Sequence, residues 1–156
     1  MFLLLAFASS IAWSQEMPLG GKFSDLKERF NHAAATAHLD VKLDIRTCEF
    51  SGSLCPVSFN GRGLGHVTKV EDRDQVETFL LIHACDQRDG ELLADVARIF
   101  VRLFGAKSAP ATPKFSALAN SISGVLPEKR TRLVIGGVEF VNSRISCTLF
   151  VGRPQR

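Results

Sequence analysis

The chain has 156 residues, of which 46% are hydrophobic and 22% charged, the composition of one ordinary globular domain. Its 19 basic and 16 acidic residues give a net charge of +3, far below the charge excess of a nucleic-acid-binding domain. Twelve Phe accompany one Trp and no Tyr, so the chain is poor in the aromatic groups with a polar atom on which sugar- and base-binding sites depend.

The first 14 residues have the pattern of a secretory signal peptide. An uncharged apolar run covers residues 2–12, too short to span a bilayer, and the small residues Ala12 and Ser14 predict cleavage before Gln15. The basic residue that usually precedes such a run is missing, and the alternative is a buried N-terminal helix. Export would place the mature chain in the periplasm or outside the cell, and no later stretch is predicted to cross a membrane.

Residues 15–22, which contain a proline and a glycine pair, are interpreted as a flexible leader. A helix is predicted from Ser24, a residue type that caps helix N-termini, to about His38. Its apolar positions recur at spacings of three and four, which predicts packing on a protein core and not on a membrane surface. These positions are Leu26, Phe30, Ala33, Ala34 and Ala37.

An antiparallel meander of four strands is predicted next. Asn60-Gly61 is typical of a type I′ hairpin turn between its second and third strands. The continuous apolar run 79–82 predicts that the fourth strand is central and covered on both faces, or at least heavily buried. The four strands are expected at residues 41–49, 54–59, 62–70 and 76–85.

Two further helices and a return to strands complete the pattern. Residues 90–104 give the clearest helix signal, with Asp89 as N-cap and Gly105 as the residue after the C-terminus. A helix over 114–125 ends before Pro127. Short strands follow at 132–135, 138–141 and 145–151, with turns at Gly136-Gly137 and at 142–144.

The order of these elements predicts an α+β fold. We expect a two-layer domain in which about three helices pack on one face of a mostly antiparallel sheet. The sheet would combine the four-strand meander with a C-terminal hairpin. The domain would cover residues 23–152 and end in a short tail over 153–156.

The four cysteines are interpreted as two disulfides, because an exported chain meets oxidising conditions. Folding the chain about Ser51-Gly52 sets Cys48 opposite Cys55. With a four-residue loop this pair falls at a closely spaced, non-hydrogen-bonded position, whereas a two-residue loop would be less suitable. Cys85 is left to pair with Cys147. The alternatives lack support, because C-x6-C is too wide for a zinc knuckle and no C-x-x-C redox motif is present.

No other pattern predicts a catalytic residue, a cofactor or a metal ligand. The glycine run 61–65 lies in a predicted hairpin and not before a helix, where a phosphate loop would need it. The acidic stretch 71–77 lacks the glycine and the ordered ligands of a calcium loop. His66 and His83 fall on neighbouring strands, where they could face each other, and are interpreted as surface or core residues.

The C-terminal third carries more bases than acids. We expect Lys129, Arg130, Arg132 and Arg144 to form a cationic edge if the last hairpin brings them together, although charges on a strand edge also prevent aggregation without any ligand. The predicted function is that of a small exported, non-enzymatic binding protein. Its partner would be another envelope protein or an anionic surface, and not a specific nucleic acid.

Two alternatives stay open. One is a small exported hydrolase that uses His66 or His83 as its base, which a histidine in a cleft beside Ser, Asp or Glu would favour. The other is a carrier of an apolar small molecule, whose sign would be an empty cavity lined by Phe79, Phe100 and Phe115.

Overall fold

The computed structural model describes residues 17–50, 52–106 and 112–155. The predicted signal peptide, residues 1–14, lies outside these ranges. The described helices are α1 (Leu26–Thr36), α2 (Gln87–Phe104) and α3 (Thr112–Ser123). The described strands are β1 (Leu43–Ile45), β2 (Leu54–Phe59), β3 (Arg62–Lys69), β4 (Val76–Ile82), β5 (Arg130–Ile135), β6 (Val138–Ser143) and β7 (Thr148–Gly152).

The strands form one antiparallel sheet with the order β1-β2-β3-β4-β7-β6-β5. The predicted four-strand meander is confirmed, and its last strand, β4, is the central strand of the sheet. A second meander, β5-β6-β7, joins the first through β7, which sets Phe79 opposite Val151 and Leu81 opposite Leu149. The C-terminal part therefore adds three strands and not the two of the predicted hairpin, because β5 also pairs with β6 across Gly136-Gly137.

The hairpin between β2 and β3 has the turn that its sequence demands. Asn60 and Gly61 both have positive φ, at 53° and 68°. Phe59 pairs with Arg62, so the connecting loop has only these two residues. This is the predicted type I′ turn, which an Asn-Gly pair adopts with little strain.

The last hairpin turns later than the sequence predicts. Ser143 pairs with Thr148, so the turn covers residues 144–147 and not 142–144. Asn142 consequently lies within β6, and it is completely buried. Consecutive polar residues are typical of a turn, but the side chain of Asn142 forms hydrogen bonds with His83 and Ser121 inside the protein.

Phenylalanine rings fill the space between the helices and one face of the sheet. Phe100 of α2 lies at the centre, with its ring centroid 4.3 Å from that of Phe79 on β4. The rings of Phe30, Phe104 and Phe59 surround it at 5.7, 6.0 and 6.2 Å. The predicted two-layer α+β fold is confirmed. Phe79 and Phe100, which the carrier hypothesis places around an empty cavity, are in direct contact.

The opposite side of the sheet is left uncovered by the three described helices. Along β4, Phe79 and Leu81 point to the helices and are fully buried, whereas Leu80 and Ile82 are 46% and 49% exposed. The prediction that β4 is central is therefore right, and coverage on both faces is wrong, because all three helices lie on the same side. We call the side that carries Leu80 and Ile82 the open face.

Helix α1 begins at Leu26, and Ser24 is not its cap. Asp25 occupies the N-cap position without a side-chain hydrogen bond. Ser24 instead donates from its backbone N–H and its hydroxyl to the two carboxylate oxygens of Asp74, at 2.8 and 2.6 Å. These two bonds join the start of α1 to the turn between β3 and β4.

We expect Asp74→Asn to weaken the acid dependence of stability. The hydroxyl and N–H of Ser24 favour the charged carboxylate and lower the pKa of Asp74 below its usual 3.8. A carboxyl with a lowered folded-state pKa stabilises the protein above the unfolded-state pKa, and this contribution is lost as the pH falls from about 4 through the lowered value.

Urea unfolding at a series of pH values, from neutral down into acid, would measure this effect. Asp74→Asn should lose less stability on acidification than the wild type does. Asp72→Asn, at an exposed position of the same turn, is the matched control and should follow the wild-type curve. Identical curves for all three proteins would contradict the prediction.

Helix α2 starts three residues earlier than the predicted residue 90. Asp86 is the N-cap, and its side chain accepts from the N–H of Asp89 at 2.8 Å. Asp89, the predicted N-cap, accepts from the N–H of Ala84, two residues before the N-cap, so its side chain joins the first turn of the helix to the preceding loop. Gly105 at the other end is extended and not left-handed, and a side chain there would collide with the backbone of α2 and of the β5–β6 turn.

Parts of the predicted leader and tail pack on the domain. Leu19, within the predicted leader, is 1% exposed, and its N–H donates to the carbonyl of Glu77 at 3.0 Å. The guanidinium of Arg153, within the predicted tail, donates to the carbonyl of Leu19 at 2.9 Å. Residues from the two ends of the described chain therefore meet beside the start of β4.

Candidate functional site

Cys48 and Cys55 form the first predicted disulfide. β1 ends before this pair, and the chain continues as an isolated bridge between Glu49 and Leu54. These two residues exchange backbone hydrogen bonds of 2.7 and 3.3 Å, which leaves a four-residue loop between them. The cysteines form the next, non-hydrogen-bonded pair, with their Cα atoms 4.0 Å apart. The geometry on which the pairing was predicted is therefore confirmed.

Cys85 and Cys147 form the second predicted disulfide, across a sequence separation of 62. Cys85 follows β4, and Cys147 ends the turn that precedes β7. The N–H of His83 donates to the carbonyl of Cys147 at 2.9 Å, so backbone pairing also joins the two segments. Both cysteines have positive φ, 57° and 48°, a conformation that residues other than glycine seldom adopt. All four cysteines of the chain are paired.

A buried hydrogen-bond network surrounds His83, which is 7% exposed. Its Nε2 lies 2.9 Å from Oδ1 of Asn142, and its Nδ1 accepts from the N–H of Cys85 at 3.0 Å. The amide nitrogen of Asn142 donates to the carbonyl and the hydroxyl of Ser121 on α3, at 3.0 and 2.9 Å. A carbonyl only accepts, so this amide has one orientation, and its Oδ1 must accept the proton of Nε2.

The protonation of His83 agrees with this network. Burial lowers the pKa of the imidazole below its usual 6.5, and the hydrogen bond to Asn142 opposes that shift. The ring is therefore neutral at physiological pH, with its proton on Nε2 and a lone pair on Nδ1. Both nitrogens are engaged by groups of the protein.

His66 and His83 do not face each other. His66 lies opposite Leu80 and points to the open face, whereas His83 belongs to the network on the helix side of the sheet. The expectation that neighbouring strands would bring them together is wrong. Successive side chains along a strand alternate between the two faces of a sheet. His83 lies three residues after Leu80, the residue opposite His66, so the two histidines lie on opposite faces. The side chain bonded directly to His83 is the amide of Asn142 and not a Ser, Asp or Glu.

The sequence does not point to Asn142 or Ser121 as partners of His83. Asn142 stands in a polar stretch that is typical of a turn, and Ser121 is one of several serines on a predicted helix. Only the order of the sheet, with β7 between β4 and β6, brings the three residues together. The one local signal is that the apolar residues Phe140 and Val141 directly precede Asn142.

The four basic residues of the predicted partner contact lie in different surroundings. Arg130 and Arg132 are exposed on the edge strand β5, two residues apart and therefore on one face. Lys129 is exposed just before that strand, and its carbonyl accepts from the N–H of Arg144. The guanidinium of Arg144 donates to the carbonyl of Leu126 at 3.0 Å, so it fastens the segment after α3 to the last hairpin. Arg130 and Arg132 are the pair that the structure brings together.

Arg130 and Arg132 line a groove of about 550 Å³ on the open face. Arg132 forms an ion pair with Glu139, whose side chain is 7% exposed beneath it. Among the described residues no acid forms an ion pair with Arg130. The groove therefore combines one compensated and one uncompensated positive charge. Its other lining residues are Val141, Phe150 and Gln155.

A continuous row of side chains crosses the open face from β3 to β5. Cross-strand pairing sets its members directly opposite one another on successive strands, in the order His66, Leu80, Phe150, Val141 and Arg132. Beside this row lie further exposed apolar side chains, Leu64 at 64% and Ile82 at 49%. The open face is thus apolar over its centre and cationic at its β5 edge.

Within the described ranges, no helix has the length and apolar character needed to cross a bilayer. Comparison of the chain with protein-family models, curated proteins and solved structures gives no match.

Proposed function

We propose that this protein is a small exported binding protein without catalytic activity, which docks an acidic protein partner in the periplasm or outside the cell. The contact surface would be the open face, with Arg130 and Arg132 at its edge. The observation that supports this proposal best is the exposed apolar surface beside two arginines, on the side of the sheet that the described helices leave uncovered.

Export is supported by the cysteines and by the N-terminal pattern. The two disulfides together use all four cysteines of the chain. Disulfides persist in oxidising compartments and are rare where thiols are kept reduced. The apolar run of residues 2–12 and the small residues before Gln15 supply the features of a cleaved signal. The two disulfides would then stabilise the domain in its working environment.

The apolar part of the open face favours a binding role. Leu64, Leu80 and Ile82 are each about half exposed or more, and adjoining apolar groups of this kind mark interaction surfaces on soluble proteins. Covering each of them would contribute roughly 1 kcal/mol to a complex, because about half of each side chain is still to be removed from water. The centre of the face can therefore supply affinity, and the arginines can select the partner.

The polar groups of the same face favour a protein over an anionic membrane surface. Thr68 and Thr78 form a cross-strand pair whose side chains lie on this side of the sheet. A bilayer would desolvate these groups without offering them partners, which costs free energy. A protein partner can bond to the hydroxyls and place carboxylates on the two guanidiniums, which bind carboxylates bidentately.

We expect a photoreactive amino acid at Ile82 to cross-link a specific envelope protein in cells of the native host. The same amino acid at Glu91, exposed on α2, should not capture that protein. The intact mass of the recovered chain tests export in the same sample, because the proposal requires it to begin at Gln15. The captured protein would then be purified and titrated with the wild type and with variants by calorimetry.

Ile82→Asp/Arg130→Glu should weaken binding to the purified partner at least about tenfold, since it removes one apolar contact and reverses one charge. Gln87→Asp/Arg88→Glu on the exposed start of α2 changes the net charge equally and is the matched control. Equal weakening by both variants would show that only total charge matters and would contradict the proposed face. Binding to anionic vesicles without any protein partner would decide for a membrane surface and against the proposal.

A further inference from the structure

The second disulfide and the neighbouring histidine bring metal-ligating atoms together. A ring nitrogen of His83 and the sulfurs of Cys85 and Cys147 all lie within 4.8 Å of one another. Zinc in proteins is bound by thiolate sulfur and imidazole nitrogen, and two cysteines with one histidine are a known set that leaves a fourth position open. We propose that reduction of this disulfide creates a Zn²⁺ site with His83, Cys85 and Cys147 as ligands, and that the disulfide excludes the metal.

The distances suit this conversion. Zinc bonds of about 2.3 Å to sulfur and 2.0–2.1 Å to nitrogen place tetrahedral ligand atoms about 3.5–3.8 Å apart. Since the ring nitrogen lies within 4.8 Å of each sulfur, it needs to approach them by at most about 1.3 Å to reach that separation. Once the bond between them is broken, the two sulfurs separate by rotation about their own Cα–Cβ bonds. Their Cα atoms, 5.4 Å apart, need little movement.

His83 is already oriented as a metal-binding histidine is. Such a histidine donates its other ring N–H to a fixed oxygen, which sets the tautomer and the ring plane. Oδ1 of Asn142 is that oxygen here, and Ser121 fixes its orientation through two hydrogen bonds. The lone pair of Nδ1 is thereby directed to the Cys85 side, where it now accepts the N–H of Cys85. Zinc binding would exchange this hydrogen bond for a metal bond.

The conversion balances with a dithiol as reductant. The dithiol gives two electrons and two protons to the Cys85–Cys147 disulfide, becomes a cyclic disulfide, and leaves two protein thiols. The carbonyl of Arg144, 3.6 Å from both sulfurs, is within reach of both S–H groups. Zn²⁺ then displaces the two thiol protons and binds two thiolates and a neutral imidazole, so the site carries no net charge. Both cysteines are half-buried, and the fourth position can take water.

The other disulfide offers an internal comparison. Among the described residues, the cluster at His83 is the one place where three such ligand atoms gather, and Cys48–Cys55 has no third ligand of this kind beside it. Reduction of Cys48–Cys55 should therefore create no comparable site. Comparison of the two reduced cysteine pairs therefore distinguishes a metal site built by the fold from the general affinity of free thiols for zinc.

The test uses the full mature chain, reduced with dithiothreitol and freed from it without oxygen, and titrated with Zn²⁺ against a chromophoric chelator. We expect one tightly bound Zn²⁺ per reduced wild-type chain and none per oxidised chain. Cys48→Ala/Cys55→Ala should keep the site, and Cys85→Ala/Cys147→Ala should abolish it. Co²⁺ in place of Zn²⁺ should give the near-ultraviolet charge-transfer bands of thiolate coordination.

A second measurement on the wild type guards against variants that fail to fold. Long-range ¹H–¹⁵N spectra of the imidazole should show Nδ1 of His83 changing its chemical shift on Zn²⁺ addition while Nε2 keeps its proton. Three results would overturn the proposal: equal zinc binding by both cysteine variants, an unchanged Nδ1 signal, or a reduced chain whose circular dichroism shows that it has unfolded. The test does not involve the open face, so neither of its outcomes supports or contradicts the proposed binding function.

Discussion

Phe100→Ala is expected to lower the free energy of unfolding by about 3–5 kcal/mol, through lost burial and the cavity left behind. Phe100 is 1% exposed, and its ring contacts rings from both layers. Phe30 approaches from α1 and Phe79 from the central strand. Removing the ring therefore loosens the contact between three elements at once. A loss of this size is a large part of the 5–15 kcal/mol that stabilises a typical domain.

Urea unfolding followed by circular dichroism would measure the loss. Val125→Ala is the control, because Val125 is 71% exposed and such substitutions usually change stability by no more than about 0.5 kcal/mol. The transition should move to lower urea concentration for Phe100→Ala with little change in its slope. A loss below about 1 kcal/mol would contradict the prediction and would show that the surrounding core relaxes into the space left by the ring.

Loss of the Cys85–Cys147 disulfide is expected to cost about 4 kcal/mol, against about 2 kcal/mol for Cys48–Cys55. The difference arises because a cross-link restricts the unfolded chain more when it closes a longer loop. The separations are 62 and 7 residues. Cys85–Cys147 also joins the two meanders, which share only the β4–β7 pairing within the sheet.

Unfolding of Cys85→Ala/Cys147→Ala and Cys48→Ala/Cys55→Ala, each with the other disulfide intact, would measure the two contributions. A chelator keeps metal binding out of the comparison. The long-loop variant should unfold at the lower urea concentration. The reverse order would show that local packing, and not the restriction of the unfolded chain, governs the stabilisation by these bonds.

The predictions that succeeded depend on short stretches of sequence. Asn60-Gly61 specifies its turn because both residues accept positive φ. The pairing of Cys48 with Cys55 follows from a hairpin that brings neighbours in the chain together, and Cys85–Cys147 then follows by elimination. The helix and strand periods also fix the α+β class, because each element must bury its apolar side.

Two of the errors share a cause, which is competition from groups distant in the chain. Ser24 has the right chemistry for a cap, but Asp74, 50 residues away, takes both of its donors. Asn142 has the composition of a turn, but His83 and Ser121 satisfy its amide inside the protein. The local propensity of a residue for a cap or a turn determines its structural role only where no distant group forms stronger hydrogen bonds with it.

By itself the sequence determined the α+β class, the disulfide partners and the β2–β3 hairpin turn. Each of these follows from patterns of residues close together in the chain, except the Cys85–Cys147 pair, which follows by elimination. The tertiary structure alone decided that β7 pairs with β4, that all described helices lie on one side, and that Arg130 and Arg132 border an exposed apolar surface while Arg144 is a structural tie. It also set Asn142 beside His83. These features depend on which strands become neighbours, and strand order follows from the combined burial of the whole chain, which no local pattern encodes.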